Sequence, residues 1–309
     1  MTTIDLAYFN FEHGGLIGGG ARGGGSGYDF TGLVRVMGED DRWPNLFVMG
    51  EGDRYEFNGG EGKWGAVAAM RAAGGRPYVP LPCELPRQWG PFAPVIFYDA
   101  QTVVVSRFYD HRAPDFAARN SNLVTIRPVT GGDELYVTTT HGDLNDPALR
   151  ESDAKAMRWL ANPTVLSAIL ADWNEVLSGP HHEPQDLDAP HYDKPHQILY
   201  RLRRGLDGRP VEPRRLETRA MDYLCGWWDE QRDERVGGVG FHDAAELAGI
   251  YTGTNLPKPS GRQCTQIDHI LLNTPLAARV VPGSTRIHEP LDPAKPDSDH
   301  KRISVTVDL

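Results

Sequence analysis

The sequence predicts an α+β sandwich built from mixed or largely antiparallel sheets. β-type runs follow one another across short polar turns, as in hairpins, and helical crossovers are interspersed among them, which argues against a purely parallel sheet. No internal repeat is visible, and no linker separates two cores. With 39% apolar residues in 309, there is ample material for a core.

The elements read as follows. Residues 3–11 alternate apolar side chains at Ile4, Leu6 and Tyr8 and read as a strand. Nine glycines then fall between Gly14 and Gly27. That composition favours a flexible loop, and it lacks the Gly-Lys-Ser/Thr ending of a phosphate-cradling P-loop. Residues 45–49 read as a buried strand ending at Gly50-Glu51, and 61–73 as a helix closed by Gly74-Gly75. Residues 94–98 and 101–107 read as a hairpin around Asp99-Ala100, and 122–127 and 134–140 as two more strands. Asp146-Pro147 supplies an N-cap and a first-turn proline for a helix running to Leu160. A β-type run at 166–170 leads into Asp172-Trp173-Asn174. Residues 179–209 are rich in His, Pro and Arg without periodicity and read as a surface excursion; His181, His182, His191 and His196 match no metal-ligand spacing. From Pro213 a helix is expected, with Leu216, Ala220, Tyr223, Leu224 and Trp227 on one face, so that Trp227 and Trp228 pack a helix. A short helix near 243–248 and strands at 266–272 and 303–309 close the chain.

Composition removes several classes of function. Lys and Arg number 32 against 42 Asp and Glu, a net charge of −10 with a pI near 5.5. This argues against electrostatic coating of DNA but leaves room for an enzyme that touches a few phosphates. No run approaches the roughly 18 consecutive apolar residues of a membrane span. The N-terminal stretch MTTIDLAYFNFEHGG lacks the features of a secretory signal, so a cytoplasmic location is expected. Cys83, Cys225 and Cys264 are odd in number and far apart, and form neither a disulfide framework nor a thiolate metal site.

The informative residues sit at strand ends: Asn10 with Glu12 two residues on, Glu51, His141, Asp172 with Asn174, Asp268 in QIDHILL, and Asp299-His300 in SDHK. Strand ends gather distant segments around one rim, where loops carry function. Glu, Asp and Asn oxygens suit Mg²⁺, Mn²⁺ or Ca²⁺, and two histidines with carboxylates suit proton transfer and charge stabilisation at a phosphate. Between Arg201 and Arg219, seven arginines stand against three acids, a local positive excess in an acidic chain. Arg203, Arg204, Arg214 and Arg215 are the candidates there for phosphate-backbone contact.

The ordered set NFEHGG, a strand ending in Glu, a strand ending in His, D-W-N, Q-I-D-H-I-L and S-D-H resembles the endonuclease/exonuclease/phosphatase superfamily, which includes deoxyribonuclease I and exonuclease III, over Asn10 to His300. The resemblance implies a four-layer sandwich, two central mixed β-sheets flanked by helices, with the active site at one end. It implies that Glu51 and Asn10 hold the metal, with Asp299 as a second metal-side carboxylate and Glu12 as a further candidate. It implies that Asp172 activates the water, that Asn174 contacts the phosphate or that water, and that His141 and His300 stabilise phosphoryl charge. Asp268 would orient a histidine, and Arg119 would contact phosphate. Gly50 before the metal glutamate, and Ala-Asp-Trp-Asn at 171–174, depart from the abasic-site repair branch.

The sequence therefore predicts one catalytic domain over 1–309, with an excursion and helical insert at about 179–262. The predicted function is that of a Mg²⁺- or Mn²⁺-dependent phosphodiesterase, Ca²⁺ being the third candidate ion, with DNA as substrate for endo- or exonucleolytic cleavage. The alternatives are a phosphatase or phosphodiesterase for a small phosphorylated metabolite or lipid headgroup, and an inactive binding protein on the same fold.

Overall fold

The computed structural model describes residues 2–18, 27–39, 42–52, 54–81, 83, 93–109, 123–182, 186–258 and 261–309. The chain begins with β1 (Thr3–Asn10), α1 (Thr31–Met37), β2 (Leu46–Gly50), α2 (Glu61–Ala72), β3 (Tyr78–Leu81), β4 (Val95–Asp99) and β5 (Val103–Tyr109). Its middle holds β6 (Leu123–Pro128), β7 (Leu135–Thr138), α3 (Pro147–Ala156), β8 (Leu166–Asp172), α4 (Pro195–Tyr200) and α5 (Arg219–Cys225). A small hairpin, β9 (Trp227–Asp229) with β10 (Glu234–Val236), precedes β11 (Phe241–Asp243) and α6 (Ala244–Leu247). The chain closes with β12 (Asp268–Asn273), α7 (Thr274–Ala277), β13 (Arg286–His288) and β14 (Arg302–Asp308).

Two six-stranded sheets form the centre, ordered β13-β14-β1-β2-β4-β3 and β11-β12-β8-β7-β6-β5. Among the described strands only β1–β2 and β7–β8 pair in parallel, so both sheets are mixed. Alternation along β1 explains the layering. Ile4, Leu6 and Tyr8 enter the core between the sheets, where they meet Val124, Ile126, Leu170 and Ile270. Ala7 and Phe9 face the other way, onto Leu33 and Met37 of α1 and Ala66 and Met70 of α2. On the far side Ile169, Ala171 and Leu271 pack against Ala154 of α3 and Ala220, Met221 and Leu224 of α5. The result is helix, sheet, sheet, helix, the four layers expected; each large side chain so buried contributes roughly 1.5–3 kcal/mol.

Several local expectations change. Residues 94–107 do not form a hairpin: β4 pairs with β2 and β3, whereas β5 pairs with β6 in the other sheet. Asp99 makes the corner, its carboxylate accepting from Gln101 N–H, Thr102 Oγ1 and Arg76 Nη1. The helix expected from Pro213 begins only at Arg219, because residues 201–217 pair in extended form, with Leu202 opposite Leu216. Gly226 ends that helix, so Trp227 and Trp228 lie on β9 instead. The excursion is more ordered than its composition suggested. It contains α4, and its Tyr192, Leu202 and Leu216 bury a satellite core with Val176 and Ile267. His182, bonded to Glu246 at 3.3 Å, and His191 are buried rather than on the surface.

The topology brings the strand ends to one rim. β1 and β2 end side by side, Asn10 level with Gly50, and Asp172 lies opposite Asp268 in the β8–β12 register. His141 bridges to Asp172 from the parallel neighbour. Behind this rim, Arg150 of α3 pairs with Glu175 at 2.6 Å, both side chains inaccessible to solvent, and Glu175 also accepts from the Ala220 N–H of α5. Burial pushes Glu175 up to about 7, against the pull of Arg150. Arg150→Ala should destabilise the protein by about 3–5 kcal/mol, because a buried carboxylate then loses its partner. Urea unfolding should also show the Arg150→Ala/Glu175→Ala double variant losing less than the sum of the single losses.

Candidate active site

Four side chains from four segments meet at the junction of the two sheets. Asn10, at the end of β1, donates its amide Nδ2 to Asp172 Oδ2 at 3.1 Å and to Glu51 Oε1 at 3.2 Å. The other oxygen of Glu51 accepts from the His13 backbone N–H at 3.0 Å. Glu51 stands at φ 59, just past Gly50. A Cβ on Gly50 would lie 2.6 Å from the Tyr8 hydroxyl and 3.2 Å from Asn10 Cα, so the close approach of β2 to β1 needs a glycine there. Asp172 Oδ1 accepts from Asn174 N–H at 2.7 Å in an Asx turn, which turns Asn174 back into the site at φ 50.

His300 closes the cluster. Its Nδ1 is 2.7 Å from Asp268 Oδ2, and its Nε2 lies 4.0 Å from Asp172 Oδ2 and 3.8 Å from Asp299 Oδ1. Burial alone would strip the imidazole of its proton. The carboxylates of Asp268, Asp172 and Asp299 outweigh that and raise it to about 10, so His300 is a cation at neutral pH. Asp299 is itself held below the ordinary carboxylate range: burial opposes this, but His300, Lys258 at 2.7 Å and Arg262 at 3.3 Å prevail.

His141 is held differently. Asn174 Nδ2 donates to Gly142 O at 3.0 Å and faces His141 Nε2 at 3.3 Å. The half-buried Arg201 fixes the direction of that amide, Nη2 donating to Asn174 Oδ1 at 3.1 Å and Nη1 to its carbonyl at 2.7 Å. An amide nitrogen can only donate, so His141 Nε2 is the acceptor of this pair. Burial and Arg150 draw Arg201 down to about 10, still a cation at neutral pH.

No protein-family model and no curated protein sequence matches the chain. Solved structures do. An endonuclease/exonuclease/phosphatase family protein from Bacteroides thetaiotaomicron superposes with a TM-score of 0.55 at 15% identity, covering 100% of this chain and 96% of that one. TDP2 from D. rerio, complexed with a single-strand DNA product, gives 0.56 at 14% identity with both chains fully covered. ANGEL2, a 2',3'-cyclic phosphatase in complex with adenosine-2',3'-vanadate, gives 0.58 at 10%, covering 99% of this chain and 96% of that one. The chain has the endonuclease/exonuclease/phosphatase fold.

On this endonuclease/exonuclease/phosphatase fold, Asn10, Glu51, Asp172, Asn174, His141, Asp268, Asp299 and His300 come together at one rim. Glu12 does not join them: its side chain is exposed, and only its backbone N–H is held, by Ser298 Oγ at 3.2 Å. Arg119 lies outside the described residues, as do residues 19–26 of the glycine-rich loop. Of the arginine segment, Arg214 is paired with Asp193 at 3.0 Å and Arg215 faces Glu230 at 3.5 Å, while Arg203 and Arg204 are exposed. Sequence reading missed three supports. Arg201 was counted only as part of a charged run. Ser298 donates to Asn10 O at 2.6 Å and accepts from His300 N–H at 3.3 Å, tying β1 to the last motif. Tyr8 lies buried beneath the cluster, and its phenol is raised far above its ordinary value by burial and by Asp172 and Asp268. The S-D-H tripeptide itself was the available signal for Ser298; nothing local marks Arg201 or Tyr8.

The donors present fit a hard divalent cation on the Asn10–Glu51 side. Asn10 Oδ1 is buried without a hydrogen-bond partner, beside the Glu51 carboxylate. Asp172, Asp268 and His300 also bring ligand atoms within 4.8 Å of one another, but a protonated imidazole bonded to Asp268 repels a cation rather than ligating it. Asp268→Asn should lower His300 from about 10, since burial then opposes only the more distant Asp172 and Asp299, and the drop is read from its ring-proton NMR titration. Because the folded value lies above the ordinary one, the wild-type pair adds stability below about pH 6.5. The stability gap between wild type and variant should close as pH rises through about 10.

Proposed function

We propose that residues 1–309 form one catalytic domain, a divalent-metal-dependent phosphodiesterase whose substrate is DNA. The observation that carries the reading is the buried chain Asn10–Asp172–His300–Asp268, which places an anionic base next to an imidazolium at the junction of the sheets. In the proposed reaction Asp172 takes the proton of the attacking water as its oxygen bonds to phosphorus. His300 Nε2–H donates a hydrogen bond to a non-bridging phosphoryl oxygen as the bond to the leaving oxygen breaks; the leaving oxygen takes a proton from solvent, and Asp172 later returns its own to solvent. Asp268 keeps that proton on His300. Asn174, oriented by Arg201, offers its amide to the phosphate or the water. Asn10 and Glu51 are the residues that would hold a metal, which when bound neutralises charge developing on the phosphoryl oxygens.

DNA is favoured over a phosphomonoester by the exposed Arg203 and Arg204 of the arginine segment and by the likeness to TDP2, whose structure holds single-strand DNA. Among the described residues no helix is long and apolar enough to cross a membrane.

Plasmid, single-stranded DNA, RNA and phosphomonoesters should be assayed with Mg²⁺, with Mn²⁺ and with chelator. DNA cleavage that chelator abolishes and metal restores is expected; hydrolysis of phosphomonoesters alone overturns the nuclease reading. Asp172→Asn should stay folded and lose about 10²–10⁴-fold in kcat, the range for general-base catalysis; wild-type-like turnover removes Asp172 from the role. Arg201→Leu should lower kcat by up to about 100-fold through a misplaced Asn174, with a smaller change in KM.

A further inference from the structure

A cleft of about 560 Å³ opens beside the rim, outside the Asn10–Asp172–His300 centre, with Ser178, Gly179, Arg203, Arg215, Trp227 and Trp228 among its walls. Its volume falls within the roughly 300–1,000 Å³ of ligand sites. Trp227 lies against Gly237, where a Cβ would come within 2.2 Å of the ring, yet the residue is 53% exposed. One side of the indole is backed by main chain and the rest is open. Trp228 is held in place: its backbone N–H donates to Ser178 Oγ at 3.0 Å, and Arg235 sits 6.0 Å from its ring, held in turn by Glu246 at 2.7 Å. Arg203 makes no side-chain hydrogen bond or ion pair among the described residues. Arg215 faces Glu230 at 3.5 Å in an exposed pair that water screens. Asp222, bonded to Thr218, and Glu230 limit how many phosphates the cleft can accept.

We infer that this cleft binds one nucleotide of a single-stranded nucleic acid, with its base on Trp227 and its phosphate on Arg203 and Arg215. An open indole backed by the main chain, with guanidinium groups beside it, is the stacking platform and cationic edge such strands use. Ser178 lies four residues beyond Asn174, at most about 14 Å along the chain, and Leu216 lines both this cleft and the pocket beneath Asn174. A strand whose scissile phosphate sits at the centre would then reach the cleft within a nucleotide or two of the cut. That register rests on the phosphodiesterase reading; the class of ligand does not.

The test uses the Asp172→Asn protein as a non-cleaving host and a fluorescein-labelled single-stranded oligodeoxynucleotide as the probe. Adding Trp227→Ala should weaken binding about 10-fold or more, while Trp227→Phe keeps most of it. In the otherwise wild-type enzyme, Trp227→Ala should leave turnover of bis(4-nitrophenyl) phosphate unchanged, since that diester is too short to span centre and cleft. Oligonucleotide affinity indifferent to Trp227 overturns the assignment. So does displacement of the Trp227 signal by a phosphorylated sugar that the oligonucleotide cannot match. If the small diester is hydrolysed but Trp227 does not affect strand binding, the cleft assignment falls and the phosphodiesterase reading stands. If Trp227-dependent binding persists with no hydrolysis under any metal, the reverse holds.

Discussion

The β8–β12 register sets two carboxylates face to face. Asp172 and Asp268 are directly opposed, 2% and 0% exposed, in a place where neither water nor the backbone neutralises both. Two such charges are tolerable only beside a cation, and the site supplies one. His300 reaches between them from the turn before β14, bonded to Asp268 and 4.0 Å from Asp172. The Asn10 amide, arriving from the other sheet, donates to the same Oδ2 of Asp172, whose Oδ1 accepts from the Asn174 N–H. The same contacts that neutralise the pair also lock the two sheets together at this rim, so the chemistry and the packing share one set of bonds.

The two histidines then acquire opposite characters from their neighbours. His300 is bonded to a carboxylate, which stabilises its charged form and makes it a donor toward the site. His141 faces an amide nitrogen, which can only donate, so its Nε2 is an acceptor. That difference traces to Arg201, two segments away, because its guanidinium decides which end of the Asn174 amide points at His141. Arg201 is in turn seated by the Arg150–Glu175 pair: Arg150 Nη2 also donates to the carbonyl of Tyr200, the residue before it. A buried ion pair between the helical layer and the sheet thus carries through two bonds to the face of an imidazole.

Much of this was legible in the linear chain. β1, β2, α2, β8 and β14 fall close to where alternation and helix punctuation put them, because each has a distinct apolar period and a clear stop. The Asp146-Pro147 start of α3 was equally plain, and Asp146 Oδ1 does accept from Ala148 N–H. The failures have a common cause. Residues 94–107 look like a hairpin because two strands flank a tight turn, but whether neighbours in sequence share a sheet depends on which partners each edge finds. From Pro213 the apolar side chains carry a helical spacing, yet Leu216 gains more by pairing with Leu202 in extended form and burying a satellite core, so the helix begins only at Arg219.

The sequence by itself determined the chemistry-bearing residue types, their order and their positions at strand ends, since strand period, turn residues and acid–amide–histidine motifs are local properties. Tertiary structure alone decided which of them touch. Whether Glu12 turns outward while Glu51 turns in, that His300 is charged, and whether Trp227 lines a core or an open cleft all depend on contacts between segments up to nearly the full chain length apart. Charge state and exposure are set by neighbours in space, and a sequence records neighbours only along the chain.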